Sequence, residues 1–188
     1  RPGGVLSPAS GRPHYAAMAG YNRWMNERVY GACAELTDAE RKRDLGAFFG
    51  SLHGTLNHIL LADRIWLGRF TGDAARFRSL AEDGTAIVVR SLAEELYADF
   101  AVLSVGRRKT DADIEAYVAA LGDDELSATL EYKTGSGQPS AHPTWWAVSH
   151  FFNHQTHHRG QVTTLLSQLG RDAGATDLIA MLRSGPTG

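Results

Sequence analysis

Apolar side chains recur at three- and four-residue steps over most of this chain, and that period commits it to long helices. Tyr15, Met18, Asn22, Met25, Val29 and Cys33 share one face of a first helix expected over roughly 14–34. "TDAE" at 37–40 is a capping box, in which the Thr37 hydroxyl accepts from helix N–H groups and Glu40 reaches back to the cap. Leu45, Phe48, Phe49, Leu52, Leu56, Ile59 and Trp66 then repeat over roughly 45–70, a second long helix that ends near Gly72. A third is expected to open at "SLAE", with Ser91 and Glu94 as a capping box ahead of Leu96, Phe100 and Leu103. It either runs to Leu121 with Gly122 as its stop, or breaks near Gly106 and restarts at Thr110. From 127 to 143 the character changes. Thr129, Leu130 and Tyr132 alternate like a short extended piece, and "GSGQP" is turn chemistry. Pro143 suits the start of a fourth helix, where no N–H bond is lost, and that helix runs to Gly170. "TDLIAML" from Thr176 predicts a brief terminal helix. Four long amphipathic helices with little strand define an all-α fold, a four-helix bundle with a short extended segment before the last long helix.

At 188 residues and 43% hydrophobic, the chain can bury one sizeable core. A single domain is therefore expected over 13–188, after a Gly-, Pro- and Ser-rich tail over 1–12 that is expected to be disordered. The net charge of −2 provides no electrostatic footprint for nucleic acid. The basic runs Arg41-Lys42-Arg43 and Arg107-Arg108-Lys109 are expected as solvated helix ends. No apolar run reaches the ~18–20 residues that span a bilayer, and the N-terminal stretch lacks the apolar region of a signal peptide. Cys33 is the one cysteine, so no internal disulfide can form. That fits a reducing cytoplasm and excludes a thiolate metal cluster.

Against that background the histidines stand out. Five of the eight fall between His142 and His158. At about 100° per residue, His154 and His158 share one face of the fourth helix with Phe151, Val162, Leu165 and Leu169. His150 and His157 lie at the edge of that stripe, and Arg159 is expected on the far side. Two imidazoles one turn apart in an apolar stripe need partners for their ring nitrogens, or each incurs a desolvation cost of about 1–3 kcal/mol. A divalent metal resolves this, because i, i+4 spacing aims two ring nitrogens at one point. Packing histidines bonded to neighbours are the competing explanation, and His150 with His154 forms a second such pair. A third ligand would come from the second helix. His53 lies nearer the stripe of Leu52, Leu56 and Ile59, whereas His58 aligns with Leu61 and Ile65, so the helical wheel leaves both open. His14 and His142 stand at helix starts, where capping or surface roles are expected.

"FFGSLHGTLNHILLADRIWLGRF" (48–70) and "SHFFNHQTHHRGQ" (149–161) together resemble the DinB family, and the likeness extends to "YNRWMNERVYGAC" (21–33) and the terminal "TDLIAML". The pattern NHxxxADRxWL followed by HxxxHRGQ is what carries it. The resemblance implies a four-helix bundle of up-down-down-up topology, often dimeric, holding zinc, nickel or iron between the second and fourth helices. It implies His58, five residues before Asp63, as the ligand from the second helix. His154 and His158, the latter before Arg-Gly-Gln, are implied as the pair from the fourth.

Three neutral imidazoles would leave the metal an open position, where solvent is expected to bind with its pKa lowered toward ~7. The family implies thiol S-transferases that use low-molecular-weight thiols, and metal-dependent hydrolases. A small-molecule substrate and a homodimer are expected accordingly, with no nucleic-acid or membrane partner. A non-catalytic metal-binding stress-response protein is the alternative, and a bundle with packing histidines the third reading. Nothing further in the sequence separates these. Asp63 is expected either to orient a ligand imidazole or to pair with Arg64 or Arg159. Gln161 lies near the ligand face, Gly160 is expected to permit close helix approach, and Tyr132, Trp145 and Trp146 are candidates for a pocket mouth. His53, His150 and His157 remain candidates for a general base or a further ligand.

Overall fold

The structure is a computed structural model that describes residues 11–81 and 83–185. Its elements in order are α1 (Gly11–Ala34), α2 (Asp38–Lys42), α3 (Leu52–Thr71), α4 (Phe100–Ala120), α5 (Asp123–Ser127), β1 (Thr129–Lys133), β2 (Pro139–Pro143), α6 (Thr144–Gln168) and α7 (Leu178–Arg183). Of the tail expected to be disordered, residues 1–10 lie outside the described residues, while Gly11 and Arg12 already belong to α1. The Thr37–Glu40 capping box forms and opens α2. Gly72 closes α3 at φ 70°, a conformation that glycine adopts without a Cβ penalty. The extended piece is half of an antiparallel hairpin, with Leu130 opposite His142, and Pro143 delivers the chain into α6.

Two expected helix starts move. Leu45 to Gly50 is a turn, because Gly46 and Gly50 take φ of 72° and 73° and the Leu45 N–H bonds the Gly50 carbonyl. Helix α3 therefore begins only at Leu52, capped by Ser51, whose hydroxyl accepts from the Gly54 N–H at 3.0 Å. The expected Ser91–Glu94 capping box does not form: Ser91 Oγ accepts from the Ala93 N–H and Glu94 Oε2 from the Arg90 N–H, a local turn. No helix follows it. Helix α4 waits for Asp99, whose carboxylate accepts from the Val102 N–H at 2.9 Å. It does not break at Gly106, where the missing Cβ lets Leu60 and Tyr97 press against the backbone.

Helix α1 packs on α4 and α6, and α3 packs on the same two, so the four long helices close a ring. The interior has two apolar clusters, one around Met25, Leu56, Leu103 and Val162, the other around Tyr15, Phe70, Ile114 and Phe151. Along α1 and α6 the chain passes from the second cluster to the first; along α3 and α4 it passes from the first to the second.

At mid-height, each of the four long helices contributes polar side chains to a buried layer. Arg107 donates to Asp63 Oδ2 at 2.6 Å, and its second nitrogen lies 2.9 Å from Asp111. Asn22 and Asn26 donate to Asp111 Oδ1, Gln155 donates to Asp63 Oδ1 at 3.0 Å, and Arg159 donates to Asn22 Oδ1. Two expectations fail here. Arg107 is 2% exposed rather than a solvated helix end, and Arg159 is 3% exposed rather than on the far side of α6. Buried carboxylates and carboxamides on facing helices draw both guanidiniums inward, since a desolvated charge is tolerated where it is paired. Among the described residues, no helix is long and apolar enough to cross a membrane.

Candidate metal centre

His58 near the middle of α3 meets His154 and His158, one turn apart on α6, at the junction of the two helices. One ring nitrogen from each lies within 4.8 Å of the other two. The His58 and His154 Nε2 atoms are 3.2 Å apart. Two imidazoles on a tetrahedral zinc, each about 2.0–2.1 Å from it, would have nitrogens about 3.3 Å apart. The far nitrogens of His58 and His158 are also set. His58 Nδ1 lies 2.8 Å from the Leu92 carbonyl, which can only accept, so Nδ1 carries the proton and Nε2 presents its lone pair. His158 Nδ1 donates to Gln161 Oε1 at 2.7 Å with the same consequence. Burial lowers the pKa of all three imidazoles, and His154, pressed also by His158 and His58, is lowered to about 3. The cluster is therefore neutral at ordinary pH, the form in which imidazole binds metal. The donor set, its tautomers and its spacing all fit a divalent cation.

Phe49 stacks on the His58 ring at 3.9 Å between centroids and meets the edge of His158. Gly54 makes this placement possible, because a Cβ there would collide with the Phe49 carbonyl. A cleft of about 600 Å³ opens beside His58 and His158, walled by Phe48, Phe49, Leu92, Ala93, His157 and Gln161.

The other expected site residues go elsewhere. His53 is fully buried but points away from the cluster, with Nε2 2.8 Å from the Tyr97 carbonyl. It ties α3 to the segment before α4. His157 lines the cleft beside His158, and the His150 ring lies 5.8 Å from that of His154 and 5.3 Å from Trp66. His142 bonds the Tyr132 hydroxyl, and His14 lies against Tyr15. Asp63 neither orients an imidazole nor pairs with Arg64 or Arg159, because Arg107 and Gln155 take its two oxygens. Nothing lies within 4 Å of where a Gly160 Cβ would project, so close helix approach is not its role. Tyr132 rests on Trp66 and His142, and neither it nor the Trp145-Trp146 pair lines the cleft beside His58 and His158. Sequence reasoning missed the Leu92 carbonyl and the Phe49 lid. Gln161 was accessible, since i, i+3 from His158 puts it on the ligand face.

The class is thus a mostly helical protein in which two long helices bring three imidazoles to a point capable of holding a metal ion. The sequence model of the DinB family matches residues 11–187, and the chain belongs to that family. It is similar to Protein DinB of Bacillus subtilis (strain 168), 27% identical over 159 residues that cover 84% of this chain and 87% of the relative. Its fold is similar to that in the crystal structure of a DinB-like protein from Bacillus cereus ATCC 10987. That likeness has a TM-score of 0.56 at 19% identity, over 81% of this chain and 91% of the other.

Proposed function

We propose that this protein is a metal-dependent enzyme whose divalent cation, zinc or nickel foremost and iron next, is held by His58, His154 and His158. The carrying observation is that ring nitrogens of the three converge while the Leu92 carbonyl and Gln161 hold the outward protons of His58 and His158. Imidazole suits all three metals, so the donor set alone does not choose among them. A cation bound there supplies Lewis acidity toward a thiolate or a carbonyl. The chain's own part is to keep the imidazoles neutral, to cover His58 with Phe49, and to leave beside Phe49 a cleft for a small molecule. The reaction class we assign is thiol-dependent S-transfer or hydrolysis, with a low-molecular-weight thiol as co-substrate in the first case. The opposed directions of the four long helices support the up-down-down-up bundle, and the lone buried Cys33 supports a cytoplasmic setting. A homodimer belongs to the same proposal, and a mass twice that of the 20.4 kDa chain in light scattering is its test.

The deciding experiment assays metal-reconstituted protein against a panel of low-molecular-weight thiols and electrophiles, with His154→Ala as control. Turnover that His154→Ala abolishes supports the enzyme. A bound metal without turnover, and without any thiol able to reach it, favours the non-catalytic metal-binding reading. Less than about a tenth of an equivalent of metal after supplementation makes the histidines packing residues.

A further inference from the structure

A second cleft, of about 550 Å³, lies between α3, residues 74–79 and 86–89, and the end of β1, and among the described residues no imidazole lines it. Its charge is one-sided. Arg64, Arg69, Arg78 and Lys133 line it, and among the described residues no carboxylate does, on a chain whose net charge is −2. Among the described residues, two of these cations are half-buried without a counter-ion. Among the described residues Arg64 donates to neutral hydroxyls alone, those of Thr110 at 3.1 Å, Ser79 at 2.8 Å and Tyr97 at 2.9 Å. Arg69 lies across Trp66 and Tyr132, 4.5 and 4.6 Å from the ring centroids, and donates to the Lys133 carbonyl at 3.4 Å. Burial lowers its pKa, as expected of a cation taken from water without a carboxylate. Among the described residues none of the four cations forms an ion pair. A partly desolvated guanidinium left unpaired is a cost that a bound anion offsets, and guanidinium geometry favours phosphate and carboxylate oxygens.

Apart from Ser79, the rest of the lining is apolar. Ile65, Ile87, Val88 and Val89 line the same cleft, and Val88 is 71% exposed.

We propose that this cleft binds a small amphiphilic anion, its phosphate or carboxylate head among Arg64, Arg69, Arg78 and Lys133, its hydrocarbon part along Ile65, Ile87, Val88 and Val89. The site is separate from the histidine cluster and stands or falls independently of metal. The recessed guanidiniums of Arg64 and Arg69 favour a soluble molecule that enters the cleft over a flat lipid surface.

Titration calorimetry of the full chain at fixed ionic strength tests this with hexyl phosphate, hexanoate, inorganic phosphate and hexanol. Saturable binding at one equivalent is expected for hexyl phosphate or hexanoate, tighter than for inorganic phosphate and absent for hexanol; the tighter of the two names the head group. The double variant Arg78→Ala/Lys133→Ala removes two exposed side chains and should fold normally by circular dichroism. It should bind about five- to tenfold more weakly. His58→Ala should bind as the parent does. Absence of saturable binding, undiminished binding by the double variant, or loss of binding in His58→Ala overturns the proposal. So does binding confined to anionic phospholipid vesicles, which would make the cleft a membrane-contact surface.

Discussion

Gln161 and Leu92 matter to this centre as much as the imidazoles do, because they decide which nitrogen of His158 and His58 faces inward. Partners that orient a metal-binding histidine typically govern affinity by about 10–100-fold, so Gln161→Ala should weaken metal binding by that factor while Gln161→Glu retains most of it. Competition against a chromophoric chelator measures both; equal affinities for Gln161→Ala and the parent would remove Gln161 from the centre. Cys33 makes the opposite point. Burial pushes its thiol up to about 12, so at pH 8 almost none is thiolate. The folded protein should resist iodoacetamide and label rapidly in urea, as mass spectrometry reads; native labelling at the rate of a free thiol would contradict its burial. Residue type alone announced the histidines, and the i, i+4 spacing of His154 and His158 pointed to a shared ligand. Between His53 and His58 the wheel was mute, since α3 is apolar nearly all round. Both are indeed buried, and what separates them is the side of α3 that faces α6, a tertiary fact.

Among the elements, punctuation other than Ser91–Glu94 proved more legible than periodicity. Thr37, Gly72 and Pro143 mark their boundaries through backbone chemistry that acts locally, and all three stand where expected. The 3–4-residue stripe, by contrast, ran on through Leu45, Phe48 and Phe49, where two left-handed glycines make a turn that serves the site instead. Gly54 is the hinge of that arrangement. Gly54→Ala should displace Phe49 from His58 and lower metal affinity, whereas Gly72→Ala should cost about 1 kcal/mol of stability through backbone strain alone and leave affinity unchanged. Chelator competition alongside urea unfolding separates the two, and equal affinity in both variants would rule out the Phe49 lid. The buried layer was least legible. Arg107 and Arg159 read as surface charges because most arginines are. The signal against this was Asp63, Asp111, Asn22 and Asn26 on inward faces at matching heights. Asp63→Leu leaves Arg107 with Asp111 as its remaining acidic partner and should cost about 3–5 kcal/mol in urea unfolding. A change below about 1 kcal/mol would show that the layer contributes little to the fold.

On the scale of the molecule, the ring of long helices holds α3 and α6 side by side, so His58 meets His154 and His158 without any loop having to close. The centre is built on rigid elements before a ligand arrives, and binding there should stabilise the whole chain. At free metal 100-fold above its dissociation constant the gain is about 2.7 kcal/mol, visible as a raised unfolding midpoint that His154→Ala lacks. The central claim is that three imidazoles from two helices share one cation. Anomalous difference scattering from crystals grown with zinc or nickel, collected at the metal edge, tests it most directly. One strong peak is expected about 2.0–2.1 Å from a ring nitrogen of each of His58, His154 and His158. No peak at that point, or a peak held by other side chains, would contradict it.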